Sequence, residues 1–131
     1  MTHDVQRLSG DALTFLEERH LATLTTLRPD GSPHVVAVGF TYEPERALVR
    51  VITFASSQKV RNVRARVHPR AAVSQVDAGR WLTLEGTAEV SDDPERVQEA
   101  VRRYAERYRQ PGEREDRVVI EIRVDRVMGR T

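Results

Sequence analysis

Apolar positions along this chain recur in two rhythms, and the changes of rhythm mark out its elements. Ser9 caps a first helix, with Leu8 and Leu13 placed to staple its start. Ala12, Leu13, Phe15 and Leu16 give that helix one apolar side, which ends near Arg19. A strand from His20 to Leu27 follows, and Arg28-Pro29-Asp30-Gly31 turns the chain, Pro fixing φ and Gly accepting a left-handed position. The pattern predicts a second strand from His34 to about Tyr42, with Val36, Val38 and Phe40 on one face. After the turn Glu43-Pro44-Glu45-Arg46 it predicts a third from Ala47 to Phe54. Three strands joined by tight turns read as an antiparallel meander.

The rhythm then becomes helical. Ser56 and Ser57 open a short helix in which Val60, Val63 and Val67 fall at i, i+3 and i+7 and face inward. Lys59, Asn62 and Arg66 repeat that spacing one residue earlier and form an adjacent polar face. His68-Pro69 ends the helix. Strands are predicted at Ala71–Gln75 and Trp81–Val90, around a turn at Asp77-Ala78-Gly79. Asp93-Pro94 starts a further helix with a stripe of Val97, Val101, Tyr104 and Tyr108. Gln110-Pro111-Gly112 breaks it. In the last strand Val118, Ile120, Ile122 and Val124 alternate with Val119, Glu121 and Arg123. About six antiparallel strands with helices inserted between them predict a small β-barrel with helical additions.

The 131 residues make a single domain (1–131), 39% hydrophobic and only 5% aromatic, so the core is built of Val, Leu, Ile and Ala. No apolar run approaches the roughly 20 residues of a spanning helix. The N-terminus lacks the basic-then-apolar pattern of a secretory signal, and the expectation is a cytoplasmic protein without membrane contact. With no cysteine, thiol catalysis and thiolate metal sites are excluded.

Charge is unevenly spread. From Arg46 to Val76 there is no Asp or Glu but seven cations: Arg46, Arg50, Lys59, Arg61, Arg64, Arg66 and Arg70. The other 14 basic residues face all 20 acidic ones, a net of −6 outside the window. So polarised a segment is a candidate anion site, and Ser56-Ser57-Gln58-Lys59, at a strand-to-helix junction inside it, could cradle a phosphate. The alternative is that the serines only cap the helix and the cations are solvated. Nucleic acid is a poor partner, because Phe54 stands alone where single-strand binders interleave several stacking aromatics. The histidines His3, His20, His34 and His68 show no metal-ligand spacing and no nearby carboxylate pair, so no metal is expected. Trp81 reads equally as a core aromatic or as a stacking surface. There is no nucleophile elbow and no acid–base pair. A site that holds a phosphorylated cofactor without catalytic residues of its own suits redox chemistry, which leaves the catalytic residues unassigned.

The segments Leu24-Thr25-Thr26-Leu27, Asp30-Gly31-Ser32-Pro33-His34-Val35-Val36, Ser57-Gln58-Lys59 through Asn62, and Pro69-Arg70 resemble the flavin and deazaflavin split-barrel oxidoreductases related to pyridoxamine 5′-phosphate oxidase. Ser74-Gln75-Val76-Asp77, Arg80-Trp81-Leu82 and Leu84-Glu85-Gly86 look like its actinobacterial branch of coenzyme F420-dependent biliverdin reductases. The resemblance implies a six-stranded antiparallel split barrel, mainly β with inserted helices, forming a homodimer with cofactor sites at the interface. Lys59, Asn62 and the Ser57-Gln58 backbone would hold the cofactor phosphate, and Pro33, His34, Val35 and Val36 would lie along the deazaflavin ring. Gln75, Arg80 and Trp81 would approach from the other side or from the partner, and Arg61, Arg64 and Arg66 would meet an acidic polyglutamyl tail. The implied activity is hydride transfer from reduced F420 to a small-molecule acceptor, biliverdin or an activated enone or quinone. Two other readings share the fold: an FMN-binding oxidase-like protein and a non-enzymatic carrier of the cofactor.

Overall fold

In the computed structural model, which describes residues 1–131, the chain is mainly antiparallel sheet. In order the elements are β1 (Thr2–His3), α1 (Gly10–Glu17), β2 (Ala22–Leu27), β3 (Pro33–Val38) and β4 (Thr41–Glu43). After a 3-10 turn (Pro44–Arg46) come β5 (Leu48–Phe54), α2 (Gln58–Arg64), β6 (Arg70–Asp77), β7 (Arg80–Ser91), α3 (Pro94–Arg107) and β8 (Arg117–Arg130). The strands are eight rather than six. Their hydrogen-bonded order is β3-β2-β6-β7-β8-β5-β4, with β1 added on β8, and every pair is antiparallel. The two ends of this path, β3 and β4, are separated in the chain by only Gly39 and Phe40. The sheet therefore rolls back towards its own start without hydrogen bonds closing it, which makes a split barrel.

Local rules account for much of this. Ser9 Oγ accepts from the Ala12 N–H at 3.1 Å, so the expected cap forms. Gly31 takes φ +88° in the β2–β3 turn, where Asp30 Oδ1 accepts from the Ser32 N–H at 2.9 Å. The strand expected through Tyr42 breaks at Gly39–Phe40. There a Cβ on residue 39 would lie 3.0 Å from the Tyr104 ring and 3.1 Å from Tyr108, so a side chain at this position would force the two rings back by a few tenths of an ångström. Both β7 and β8 run past their expected ends, because cross-strand pairing carries polar residues that the apolar pattern discounts. Between Glu85 and Gly86 the register slips and Asp125 is left as the extra residue of β8.

Inside the roll, Leu24, Val49, Val51, Val73, Leu82, Leu84, Ile120, Ile122 and Val127 pack with Phe15, Phe40, Val60 and Val63. Each such side chain contributes about 1.5–3 kcal/mol over leaving it exposed. The helix α2 packs on β2 and β7, and α3 lies across β4, β5 and β8. Two expectations fail here. Val67 is 87% exposed, because α2 ends at Arg64 and no turn carries residue 67 inward. Asn62 is buried rather than part of a solvent-facing polar stripe. On α3, Val97, Val101 and Tyr104 are only half-buried, while Ala100, Arg107 and Tyr108 are the buried residues.

Candidate functional site

Strand alternation disperses the seven-cation window. Arg50 is buried and pairs with Glu43 at 2.9 Å, and Arg70 pairs with Asp125 on β8. Arg66 donates to the Arg28 carbonyl at 2.9 Å. What remains as a site is the corner where α2 meets β3.

Most polar groups at this corner satisfy one another. Arg61 donates to Ser56 O and to Gln58 Oε1, each at 2.7 Å. Gln58 Nε2 donates to Asn62 Oδ1 at 2.7 Å, and Asn62 Nδ2 donates to Thr26 Oγ1 at 3.0 Å. Thr53 Oγ1 donates to Ser57 Oγ at 3.3 Å, so the Ser57 side chain is turned away from capping α2. The chain Arg61–Gln58–Asn62–Thr26 locks α2 onto β2, and His34 stands opposite Thr26 on β3.

Two groups are left over. His34 Nδ1 is buried with no hydrogen-bond partner. Lys59 forms no ion pair, and its ammonium lies 5.7 Å from the centroid of the Phe54 ring. Burial lowers the Lys59 pKa, and burial followed by the charges of Arg28 and Lys59 lowers that of His34. The imidazole is thus held neutral beside a poorly solvated cation. An unpaired buried polar atom costs about 1–3 kcal/mol, a cost that His34 Nδ1 carries and a ligand atom would relieve, while the half-buried Lys59 favours a ligand with negative charge. A cleft of about 320 Å³ opens at Lys59, lined by Ala37 and Gly39 at the end of β3 and by Ile52 and Phe54 on β5.

The other expected site residues divide. Pro33 and Val35 face outward on β3 and Val36 is half-buried. Gln75 is fully buried on β6; its Nε2 donates to Phe15 O at 2.9 Å and its Oε1 accepts from Arg107. Its amide has no free end, so its work is inside the fold. Arg80 is held by Glu18, at 2.9 and 3.1 Å, and by Asp77 at 2.6 Å, with its guanidinium 4.4 Å from the Phe15 ring centroid. Trp81 is half-buried on the outer face of β7, opposite Val76 and Arg130.

Arg107 was missed by sequence reasoning, because one arginine in a helix of charged residues carries no signal of its own. It is 9% exposed and donates to Glu18 O at 2.9 Å, Phe40 O at 2.6 Å and Gln75 Oε1. Beside it Tyr108 Oη donates to His20 O at 2.6 Å and accepts from the Phe40 N–H at 3.2 Å. His20 does have a carboxylate pair beside it: the ligand atoms of Glu18, His20 and Asp77 lie within 4.8 Å of one another. Arg80 already occupies both carboxylates. Arg80 and then His20 hold the Glu18 pKa down at about 2.

A rolled antiparallel sheet whose two ends come close together without closing defines a split-barrel protein, and its cation-bearing strand–helix corner is the candidate site. The chain belongs to the pyridoxamine 5′-phosphate oxidase family, whose model matches residues 8–130. It is 55% identical over 129 residues to an F420H(2)-dependent biliverdin reductase of Mycobacterium tuberculosis (strain CDC 1551 / Oshkosh), covering 98% of this chain and 93% of that protein. Among solved structures, a conserved hypothetical protein, Rv2991, from Mycobacterium tuberculosis superposes with a TM-score of 0.79 at 25% identity, covering 98% of this chain and 88% of the other. An F420 reductase superposes with a TM-score of 0.73 at 30% identity over 93% of this chain and 98% of its own.

Proposed function

We propose that this chain is a reductase that uses reduced coenzyme F420 to reduce an organic acceptor, with biliverdin the first candidate. The observation that carries the reading is the orphaned His34 Nδ1 with Lys59, which forms no ion pair, near it at the α2–β3 corner. The 55% identity to a reductase of that description supports both the cofactor and the acceptor.

The residues at the corner fit the coenzyme. Lys59 would meet its phosphate, with Ser57, Gln58 and Asn62 holding α2 in place beneath it. Pro33 to Val36 would flank the ring, with His34 Nδ1 supplying a hydrogen bond to a ring heteroatom. Arg61 and Arg64, both without a carboxylate partner, are available to an acidic tail. When bound, the coenzyme supplies the hydride. The chain contributes orientation and a cleft that holds the reactants together, which convert an encounter into a near-unimolecular step. The accompanying proton comes from solvent or from a hydrogen-bond donor of the pocket.

The proposal includes a homodimer. On the outer face of the sheet, Ala37, Thr23, Ser74, Thr83 and Met128 form one cross-strand row, and Val35, Thr25 and Ala72 begin the next. The first row is free of charge, whereas the second runs on into Glu85 and Arg126, and Val35 and Val76 are 55% and 65% exposed. Charge depletion is the mark of an interface core, and a second copy seated there would enclose Trp81. Val76→Asp is expected to shift the protein from dimer to monomer in sedimentation velocity. No helix is long and apolar enough to cross a membrane, and a cytoplasmic setting belongs to the same proposal.

The test is a fluorescence titration with coenzyme F420 and, separately, with FMN. Tight binding of F420, weakened about 10- to 100-fold by Lys59→Ala, is expected. Preference for FMN would select the oxidase-like reading. F420 binding without turnover of any acceptor would select a carrier. Equal binding by Lys59→Ala would overturn the phosphate assignment.

A further inference from the structure

The connection from α3 to β8 forms one wall of the Lys59 cleft, and the reading above leaves it without a role. Its far end is tied down. Arg117 opens β8 opposite Phe54 on β5, the Ala55 N–H donates to Asp116 O at 2.9 Å, and Arg117 Nη2 donates to Gly112 O at 2.8 Å. Pro111, with its fixed φ, also lines the cleft. The Arg114 guanidinium carbon lies 4.2 Å from the centroid of the same Phe54 ring that Lys59 approaches.

The cleft therefore has an apolar floor of Ile52 and Phe54 and three cations around it, Lys59, Arg114 and Arg117, with no Asp or Glu in its lining. Asp116 lies outside the lining and pairs with Arg114 at 2.6 Å, but both side chains are about half exposed, so water screens the pair. That pair uses Nε and Nη2 and leaves Nη1 free. Contact with the Phe54 ring holds the Arg114 guanidinium at the mouth of the cleft. The free Nη1 of Arg114 beside a second arginine is suited to a carboxylate, and the floor is suited to a flat apolar body.

We propose that Arg114 and Arg117 form a carboxylate subsite for the ligand that occupies the Lys59 cleft. The proposal rests on the reductase reading only for the ligand's identity. Two sources could supply the carboxylate: a side chain of the acceptor, such as a propionate of biliverdin, or the glutamyl tail of the coenzyme.

The test uses the full-length protein, Arg114→Gln, Arg117→Gln, their combination, and Arg114→Lys, each checked for an unchanged unfolding midpoint. Four probes are titrated: biliverdin and its dimethyl ester by tetrapyrrole absorption, and F420 and the tail-less deazaflavin by fluorescence. The double variant is expected to bind biliverdin about 10-fold more weakly, with the ester and both deazaflavins unaffected, and Arg114→Lys is expected to retain most of the affinity. A loss confined to F420 over its tail-less form would also support the subsite and assign it to the tail. Equal losses for acid and ester, or no loss for any probe, would overturn it, as would a wild-type protein that binds none of the four. A wild type that binds biliverdin but neither deazaflavin would defeat the reductase reading and leave the subsite standing.

Discussion

Two polar regions of this molecule hold much the same kinds of side chain and put them to opposite uses. In the hub where α1, β6 and the end of α3 meet, Gln75, Arg80, Arg107 and Tyr108 have their polar groups engaged by Phe15, Glu18, His20, Phe40 and Asp77. At the α2–β3 corner, Arg61, Gln58, Asn62 and Thr26 saturate one another, but His34 Nδ1 and Lys59 are left without partners. Each region contains a fully buried amide, since Gln75 and Asn62 are each 1% exposed or less. The difference lies in satisfaction. A saturated buried network holds the fold, whereas an unsaturated one is poised for a partner from outside.

The largest expected effect breaks the hub. Arg107→Ala leaves Glu18 O, Phe40 O and Gln75 Oε1 without their donor in a site too enclosed for free hydration. At about 1–3 kcal/mol for each unsatisfied acceptor, offset by the relief of a buried cation, the loss is about 3 kcal/mol in urea denaturation. Ligand affinity of the remaining folded protein should be unchanged. A variant that is fully stable would show that the hub does not hold the fold.

Asn62→Ala tests the point where fold and site share a residue. Its side chain donates to Thr26 and accepts from Gln58, so stability should fall by about 1–2 kcal/mol. The register of Lys59 over the cleft should loosen as well, and F420 affinity should drop a few-fold, less than for Lys59→Ala. A stability loss with no affinity loss would move Asn62 into the hub's category.

How far this division was legible in the sequence depends on the range over which each signal acts. The Ser9 cap, the Pro29-Asp30-Gly31 turn and the start of α2 follow from neighbours within four residues, and they form where expected. The anion window failed as a unit because alternation sends Arg50 and Arg70 to different surfaces, where they meet Glu43 and Asp125. Gln75, Arg80 and Trp81 stood out by resemblance, yet burial in this chain withdraws Gln75 from any ligand, and no local pattern foretells that Arg107, 32 residues away, caps its amide. Strand number was undercounted because β1 is two residues long, below any periodic signal, and because the strand read from His34 to about Tyr42 divides at Gly39–Phe40 into β3 and β4.

Acid sharpens the comparison further. Glu18 titrates at about 2 when folded, against 4.5 as its ordinary value, chiefly through Arg80 and then His20. Between those values the unfolded chain binds more protons. The stabilising contribution is therefore complete above pH 4.5 and is lost as pH falls towards 2. In Arg80→Ala the Glu18 pKa should return towards 4.5, flattening this segment of the stability profile. The two proteins should converge near pH 2 when unfolding is followed by circular dichroism. Parallel profiles across that window would detach Glu18 from the hub.

The smallest effect belongs to the corner. Lys59 has its pKa lowered by burial, so above its folded pKa and below 10.5 the unfolded chain holds more protons, and stability rises with pH there. Its charge is thus a mild liability to the empty fold. Lys59→Met keeps the apolar stem and removes the charge, and should leave the unfolding midpoint at pH 7 unchanged or slightly raised while F420 binding weakens. Anionic ligand should reverse the sign by favouring the charged form, so bound wild-type protein should lose its alkaline gain and Lys59→Met should show none to lose. Should Lys59→Met instead cost stability as Arg107→Ala does, Lys59 would be a structural cation like its counterparts in the hub, and the corner would have no vacancy for a ligand to fill.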